Sequence, residues 1–281
     1  LHLHLLIRRQ RQMCIRDSGK SNLAGFGSAK CSNEEAYLFQ KLIRTGFNTN
    51  NVDHCTRLCH ASSVAALLET IGSGAVTAPF YEVEHSDVII VIGANPTENH
   101  PVAATFFKNA AKKGSKLIVM DPRGHSLKKH ATHMLQFKPG SDVALLNSIM
   151  NVIVEENLFN SEYIKKQTEG FEKLRKHLMN YSPDIMENET GIDPELIREV
   201  ARLYASTNKG IIFWGMGISQ HTHGTDNARC LISLALMTGN VGKRGSGLHP
   251  LRGQTNVQGA SDAGLIPMMY PDYQLVDKDN N

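Results

Sequence analysis

Between Asp87 and Met120 the chain sets two short, wholly apolar runs around one helical stretch, and this pattern constrains the fold more than any other. Asp87–Ile92 is predicted as a strand, and the unbroken β-branched run after its aspartate suits one covered on both faces rather than one with a wet side. Gly93-Ala94-Asn95-Pro96 ends the run, a helix is predicted near 101–113, and Lys116–Met120 reads as a second strand. Strand, crossover helix and strand form a βαβ unit, which makes the two strands parallel. The pattern continues with a strand at Met134–Phe137, a helix from Asp142 to about Glu156, and helices near 161–179 and 194–206. Asp193 is the N-cap of the last of these and Pro194 its first residue. Gly210–Trp214 is a fourth strand, followed by the turn Gly215-Met216-Gly217 and a helix near 225–238 that Gly239 stops. Strands alternating with helices predict an α/β fold with a doubly wound, mostly parallel sheet.

Upstream, Ser32 and Glu35 form a capping box for a helix near 33–45, and a second helix begins after His60 and stops at Gly72. The glycine-rich, polar stretch Asn240–Gly264 reads as a long ligand-facing loop. With 281 residues, 41% of them hydrophobic, the chain can bury the core of one large domain or parts of two. The net charge of +3 comes from scattered Lys and Arg, so no basic face for nucleic acid is evident. Cys14, Cys31, Cys55, Cys59 and Cys230 are odd in number and mostly far apart, which argues against a disulfide framework and for a reducing, cytoplasmic compartment. No apolar run approaches the roughly 18 residues a membrane-spanning helix needs, so a soluble chain is expected. Residues 1–18, a Leu/His alternation followed by a basic run, look non-native or disordered and are set aside. With no initiator Met, a lost targeting sequence keeps the periplasm open as an alternative.

Gly93-Ala94-Asn95-Pro96, Asp121-Pro122-Arg123 and Gly215-Met216-Gly217 each follow the carboxyl end of a predicted strand, the edge where open α/β sheets bind ligands. Each alone is equally a tight turn. A standard dinucleotide fingerprint is missing, because Gln220 stands where a third glycine belongs. A P-loop is missing too, because Cys14 stands upstream of Gly19-Lys20-Ser21. The densest chemical cluster is Asn51–His60. A thiolate there, near Arg57 and a helix start, could bind a soft transition metal, although the segment lacks four ligands at zinc spacings. The alternative is two cysteines packed as small hydrophobes and two solvated histidines. In Pro250–Gly259 a single arginine, Arg252, stands among amides and glycines, as a small carboxylate or phosphate site requires; a salt bridge to a neighbouring acid is the other reading.

These clusters, in this order, resemble the formate dehydrogenase branch of the molybdopterin oxidoreductases that carry two pterin guanine dinucleotides. The matching stretches are NNVDHCTRLCHASSV (Asn50–Val64), GANPTENHP (Gly93–Pro101), Asp121–Arg123, KPGSDVALL (Lys138–Leu146) and Trp214–Gly264, which includes LALMTGNVGKRGSGLHPLRGQTNVQGASDAG. The resemblance implies a Rossmann-like pterin-binding domain at 55–254, with 19–54 and 255–281 as parts of a second α/β domain. It implies Cys59 as thiolate ligand of molybdenum or tungsten, His60 as neighbouring acid or base, and Arg252 as the clamp on formate. Gly93, Asn95, His100, Asp121, Arg123, Gly140, Asp142, Gly215 and Gly217 would line the guanine dinucleotide tails, with Gln254 and Asn256 near the pterin and the active-site cavity.

The implied reaction is oxidation of formate to CO₂, or its reverse, with electrons leaving through iron–sulfur, NAD-linked or hydrogenase-linked subunits, in anaerobic metabolism. The family also carries a four-cysteine [4Fe-4S] region and a further domain. The ligands of that cluster are absent here, so the chain is expected to be an internal piece, inactive alone. Two alternatives stay open: another molybdopterin oxidoreductase, acting on nitrate or an oxo-anion, and a scaffold remnant without metal.

Overall fold

A computed structural model describes residue 19 and residues 22–277. The segment 1–18, set aside above, and Lys20-Ser21 lie outside the described residues. The described residues divide into two compact units, Cys59–Leu251 and a smaller one that joins those up to Leu58 to those from Arg252 onward.

In the smaller unit, β1 (Gly25–Gly27) pairs in parallel with β2 (Val52–His54). The helix Asn33–Lys41 starts at the expected capping box: Glu35 N–H donates to Ser32 Oγ at 3.2 Å and Ser32 N–H to Glu35 Oε2 at 2.8 Å. It continues into a wide turn, Leu42–Gly46, that turns Arg44 inward. The guanidinium of Arg44 donates to the carbonyls of Gly264, Ile266 and Met269 and stacks on Tyr270 at 4.6 Å, tying the returning chain to the helix. Ile43, Val52, Val257 and Leu265 form the core beneath.

The larger unit is built on a five-stranded, all-parallel sheet of β3 (Val88–Ile92), β4 (Lys116–Met120), β5 (His133–Leu135), β6 (Gly210–Trp214) and β7 (Gly247–Pro250), in the order β5-β4-β3-β6-β7. The expected α/β class and parallel, doubly wound sheet are therefore present. Every residue of β3 and β6 is buried, as their unbroken apolar runs demand. Ile90, Ile92 and Trp214 face the helices Asp142–Glu155, Pro194–Ala205 and Gly224–Met237. Ile89, Val91 and Phe213 face Phe107 of the helix Pro101–Lys112 and the ring of Phe80. The chain leaves β3 toward β4 over one face of the sheet and leaves β6 toward β7 over the other. Adjacent central strands whose connections part in this way leave a crevice at their carboxyl ends, the usual ligand site of an open parallel sheet.

The predicted loop Asn240–Gly264 is not wholly irregular. It contains β7 and a helical segment, Val257–Asp262. Gly-Leu-His-Pro has neither alternation nor β-branched residues, so no local pattern marks it as a strand; its pairing with β6 does, at a sheet edge that tolerates proline. Gly247 is held at φ +145°, where a Cβ would meet Ala78 and Thr77. The helix expected near 161–179 is two, Ser161–Gln167 and Phe171–Leu178, divided at Gly170 with φ +78°. No helix among the described residues is long and apolar enough to cross a membrane.

Candidate functional site

At the crevice, the turns after β3 and β6 press backbone against backbone. Gly217 N–H donates to Gly93 O at 3.0 Å. A Cβ on Gly217 would lie 2.6 Å from Gly93 O, and one on Gly215 would lie 2.7 Å from the same oxygen. Gly93 itself holds φ +58°. The first demand on these three glycines is therefore the close approach of two turns, which shapes the crevice floor. Gly217→Ala is expected to destabilise the chain by about 1–3 kcal/mol, the usual size for overpacking against an unyielding neighbour. An unchanged thermal or denaturant midpoint would refute the close-contact argument.

Asn95 is buried and accepts from Thr97 Oγ1 at 2.5 Å, and His100 caps the helix Pro101–Lys112. Beyond β4, Asp121 is buried and accepts the Arg123 N–H at 2.9 Å, while the Arg123 side chain is 79% exposed at the rim. Sequence reasoning missed His125, whose ring burial holds below its ordinary pKa while Asp121 pulls the other way. A histidine two residues past a strand-end Asp-Pro-Arg is the signal that could have found it.

Gly140, at φ +87°, turns the chain into the helix that opens with Asp142. Both residues line a cleft of about 750 Å³ with His221, His223, Tyr181 and Asn227. Burial pushes the Asp142 carboxyl above its ordinary pKa, against an opposing pull from His221. A buried acid in a cleft beside a helix N-terminus carries a cost that stability alone does not explain, and sites that bind ligands carry such costs. His221 and His223 were also missed, although a His-Thr-His run just after a strand-end glycine turn marks them.

Because the native carboxyl binds its proton more tightly than the unfolded one, the folded state holds the extra proton in the window from about pH 3.9 upward to the raised native value. Asp142 therefore costs stability as pH rises through that window. Asp142→Asn is expected to raise the melting temperature above that window and to flatten the pH profile within it; a profile identical to the parent's would refute this.

Cys59 and His60 open the larger unit. Cys59 is buried, and its carbonyl accepts from Ser219 Oγ at 2.8 Å, while Ser62 Oγ donates to Ser219 O at 2.8 Å. His60, fully buried, is the N-cap residue of the helix Ala61–Ile71. Its Nε2 lies 2.9 Å from Leu251 O and its Nδ1 3.1 Å from Ser63 Oγ, which in turn accepts from Trp214 Nε1 at 2.8 Å. A carbonyl can only accept, so Nε2 carries the proton. The indole can only donate, so Ser63 gives its own proton to Nδ1. Each of these buried groups would cost about 1–3 kcal/mol if left unpaired, which is why they occur together.

Arg252, Gln254 and Asn256 belong to the smaller unit. Arg252 Nη1 donates to Gln258 Oε1 at 2.8 Å, a neutral acceptor that leaves the guanidinium its charge. Gln254 Oε1 is buried and unpaired among the described residues, an acceptor open to a donor from a ligand or from water. Asn256 is used by the chain itself: its Nδ2 donates to Cys31 O at 2.9 Å and to Asn33 Oδ1 at 2.8 Å. Among the described residues no three His, Cys, Asp or Glu side chains converge on one metal position.

The family described as molybdopterin oxidoreductase matches residues 4–280. The chain is similar to the F420-dependent formate dehydrogenase subunit alpha of Methanocaldococcus jannaschii, with 45% identity over 92% of this chain and 38% of that protein. It is similar to formate dehydrogenase H of Escherichia coli, with 43% identity over 87% of this chain and 34% of that protein. It thus spans under two-fifths of the length of these relatives. In fold it resembles acetylene hydratase from Pelobacter acetylenicus, with a TM-score of 0.74 at 23% identity over 88% of this chain and 33% of that one. With 277 residues in register with the family pattern and a parallel sheet that opens a crevice at its switch point, the chain belongs to the molybdopterin oxidoreductase family.

Proposed function

We propose that this chain carries the substrate end of a formate-oxidising site, built around a molybdenum or tungsten bis-molybdopterin guanine dinucleotide. The observation that carries this reading is identity of 43–47% to three proteins named as formate dehydrogenases, across about nine-tenths of the chain. Residues 55–254 are read as the Rossmann-like pterin-binding domain, with 19–54 and 255–281 belonging to its neighbour. The compact unit Cys59–Leu251 supports that division.

The residues present fit the group. Cys59 is a soft donor with no competing cluster of protein ligands among the described residues, which suits a metal whose other ligands come from the cofactor. The glycine-floored crevice at β3 and β6, the buried acids Asp121 and Asp142, and the cleft beside Gly140 and His221 suit a polar nucleotide tail. Asn95, His100 and Arg123 stand at the same strand-end turns. The unpaired Gln254 Oε1 suits a donor on the pterin or in the substrate cavity, with Asn256 shaping the same loop.

When bound, the metal–pterin group supplies the two-electron redox couple for HCOO⁻ → CO₂ + H⁺ + 2e⁻. The chain's own part is to hold and orient. Arg252 binds the formate carboxylate through its guanidinium, so that charge and position lower the barrier together. His60, next to the ligand, is read as the neighbouring acid or base; to move a proton its ring must first release Ser63 or Leu251. The electrons leave to an iron–sulfur or other electron-transfer subunit.

Elemental analysis and formate-driven dye reduction on the full-length protein, purified without air, test the reading. Stoichiometric molybdenum or tungsten with formate oxidation supports it. Metal with activity only on nitrate or another oxo-anion replaces the substrate, and absence of metal makes the chain a scaffold remnant.

A further inference from the structure

The hydrogen bonds around His60 close on themselves. Leu251 N–H donates to Trp214 O at 2.7 Å, Trp214 Nε1–H to Ser63 Oγ at 2.8 Å, Ser63 O–H to His60 Nδ1 at 3.1 Å, and His60 Nε2–H to Leu251 O at 2.9 Å. The ring joins three segments distant in sequence: the turn that presents Cys59, the carboxyl end of β6, and the residue covalently next to Arg252. Ser63, His60 and Trp214 are fully buried, so water cannot take the place of any partner. The N–H and the C=O of Leu251, which belong to successive peptide groups, are both spent in the circuit, which fixes the backbone on either side of this residue. A second clasp, from Ser219 Oγ to Cys59 O at 2.8 Å, holds the same turn from β6's following loop.

We propose that Ser63 and Trp214 are positioning residues that act through His60, fixing together the backbone of the Cys59 turn and the Leu251 peptide from which Arg252 departs. Both side chains are fully buried, and the hydrogen bonds that join them end on His60. The inference rests on the roles proposed above for Cys59 and Arg252, and goes beyond them by naming what aligns the two segments. A rigid support is what a turn needs when the segments that hold it lie far apart in the chain.

The primary test is made on the metal-free full-length protein, so that its outcome does not depend on catalysis. Iodoacetamide labelling of Cys59 and Cys230 is followed by mass spectrometry in the parent, Ser63→Ala, Trp214→Phe and Ser63→Thr. Cys230, half-exposed in the cleft beside Asn227, is the internal control for general loosening: desolvation pushes its thiol up to about 12, which keeps its labelling slow in the parent. Trp214→Phe, which removes one bond of the circuit, is expected to speed Cys59 labelling by about tenfold, the change that loss of one buried hydrogen bond makes in a local opening equilibrium, and Ser63→Ala, which removes two, by at least as much. Cys230 should stay as in the parent, and Ser63→Thr, which keeps the hydroxyl, should return Cys59 toward the parent rate. In the metal-loaded enzyme the same two variants should raise KM for formate more than they lower kcat.

Cys59 labelling within about twofold of the parent in both variants would overturn the inference, that being less than the loss of a buried hydrogen bond should produce. Equal acceleration at Cys230 would also overturn it, because the circuit would then be general core packing. If the parent proves not to oxidise formate, the functional reading falls while the labelling still judges the circuit.

Discussion

Cys59→Ala in the full-length protein is expected to abolish formate-driven dye reduction and to lower the molybdenum or tungsten content or alter its spectrum. The loss should exceed about a hundredfold, since even groups one shell removed from a metal commonly cost 10–100-fold. Two features lead to this. Cys59 is a soft donor held in one place, its carbonyl fixed by Ser219 and its successor His60 by Ser63 and Leu251. Among the described residues no group of three His, Cys, Asp or Glu offers the metal another seat. Cys59→Ser keeps the size and removes the thiolate, so the same loss there would assign the effect to sulfur chemistry rather than packing. Activity within a few-fold of the parent would rule out Cys59 as a ligand.

Arg252→Ala is expected to raise KM for formate strongly and to lower kcat/KM by about 10–150-fold, the range that corresponds to losing about 1.5–3 kcal/mol of charged hydrogen bonding. Arg252→Lys should recover only part of this, because an ammonium keeps the charge without the flat, two-point fork that matches a carboxylate. The position of Gln258 sharpens the test. It holds Nη1 of Arg252 through a neutral oxygen, so it orients the guanidinium without consuming its charge. Gln258→Ala should therefore affect KM in the same direction but less. If Arg252→Ala shows normal kinetics with formate, the anion is bound elsewhere.

Much of the sheet was legible because its central strands announce themselves. The runs Val88–Ile92 and Gly210–Trp214 are apolar on both faces, and only strands buried on both sides need that. Caps were legible for the same local reason: Ser32 with Glu35, and Asp193 with Pro194, satisfy groups at a helix end that no tertiary contact has to supply. β7 was not legible, since Gly-Leu-His-Pro is a strand only because β6 offers it an edge. The pair β1 and β2, three residues each, escaped for the same reason.

The candidate site divides along the same line. The chemistry of single residues, a thiol beside a histidine and an arginine among amides, is written in the chain, and so is the alternation that makes the sheet parallel. Which residues surround them is not. His60 meets Leu251 across 191 positions, and Ser63 meets Trp214 across 151. Only the tertiary structure decided the strand order β5-β4-β3-β6-β7, and with it the place of the crevice, the burial that raises Asp142, and the single tautomer of His60. The physical reason is range. Helix caps, turns and strand runs are settled by forces within a few residues, whereas strand order and buried hydrogen bonds are settled by which distant faces exclude water together.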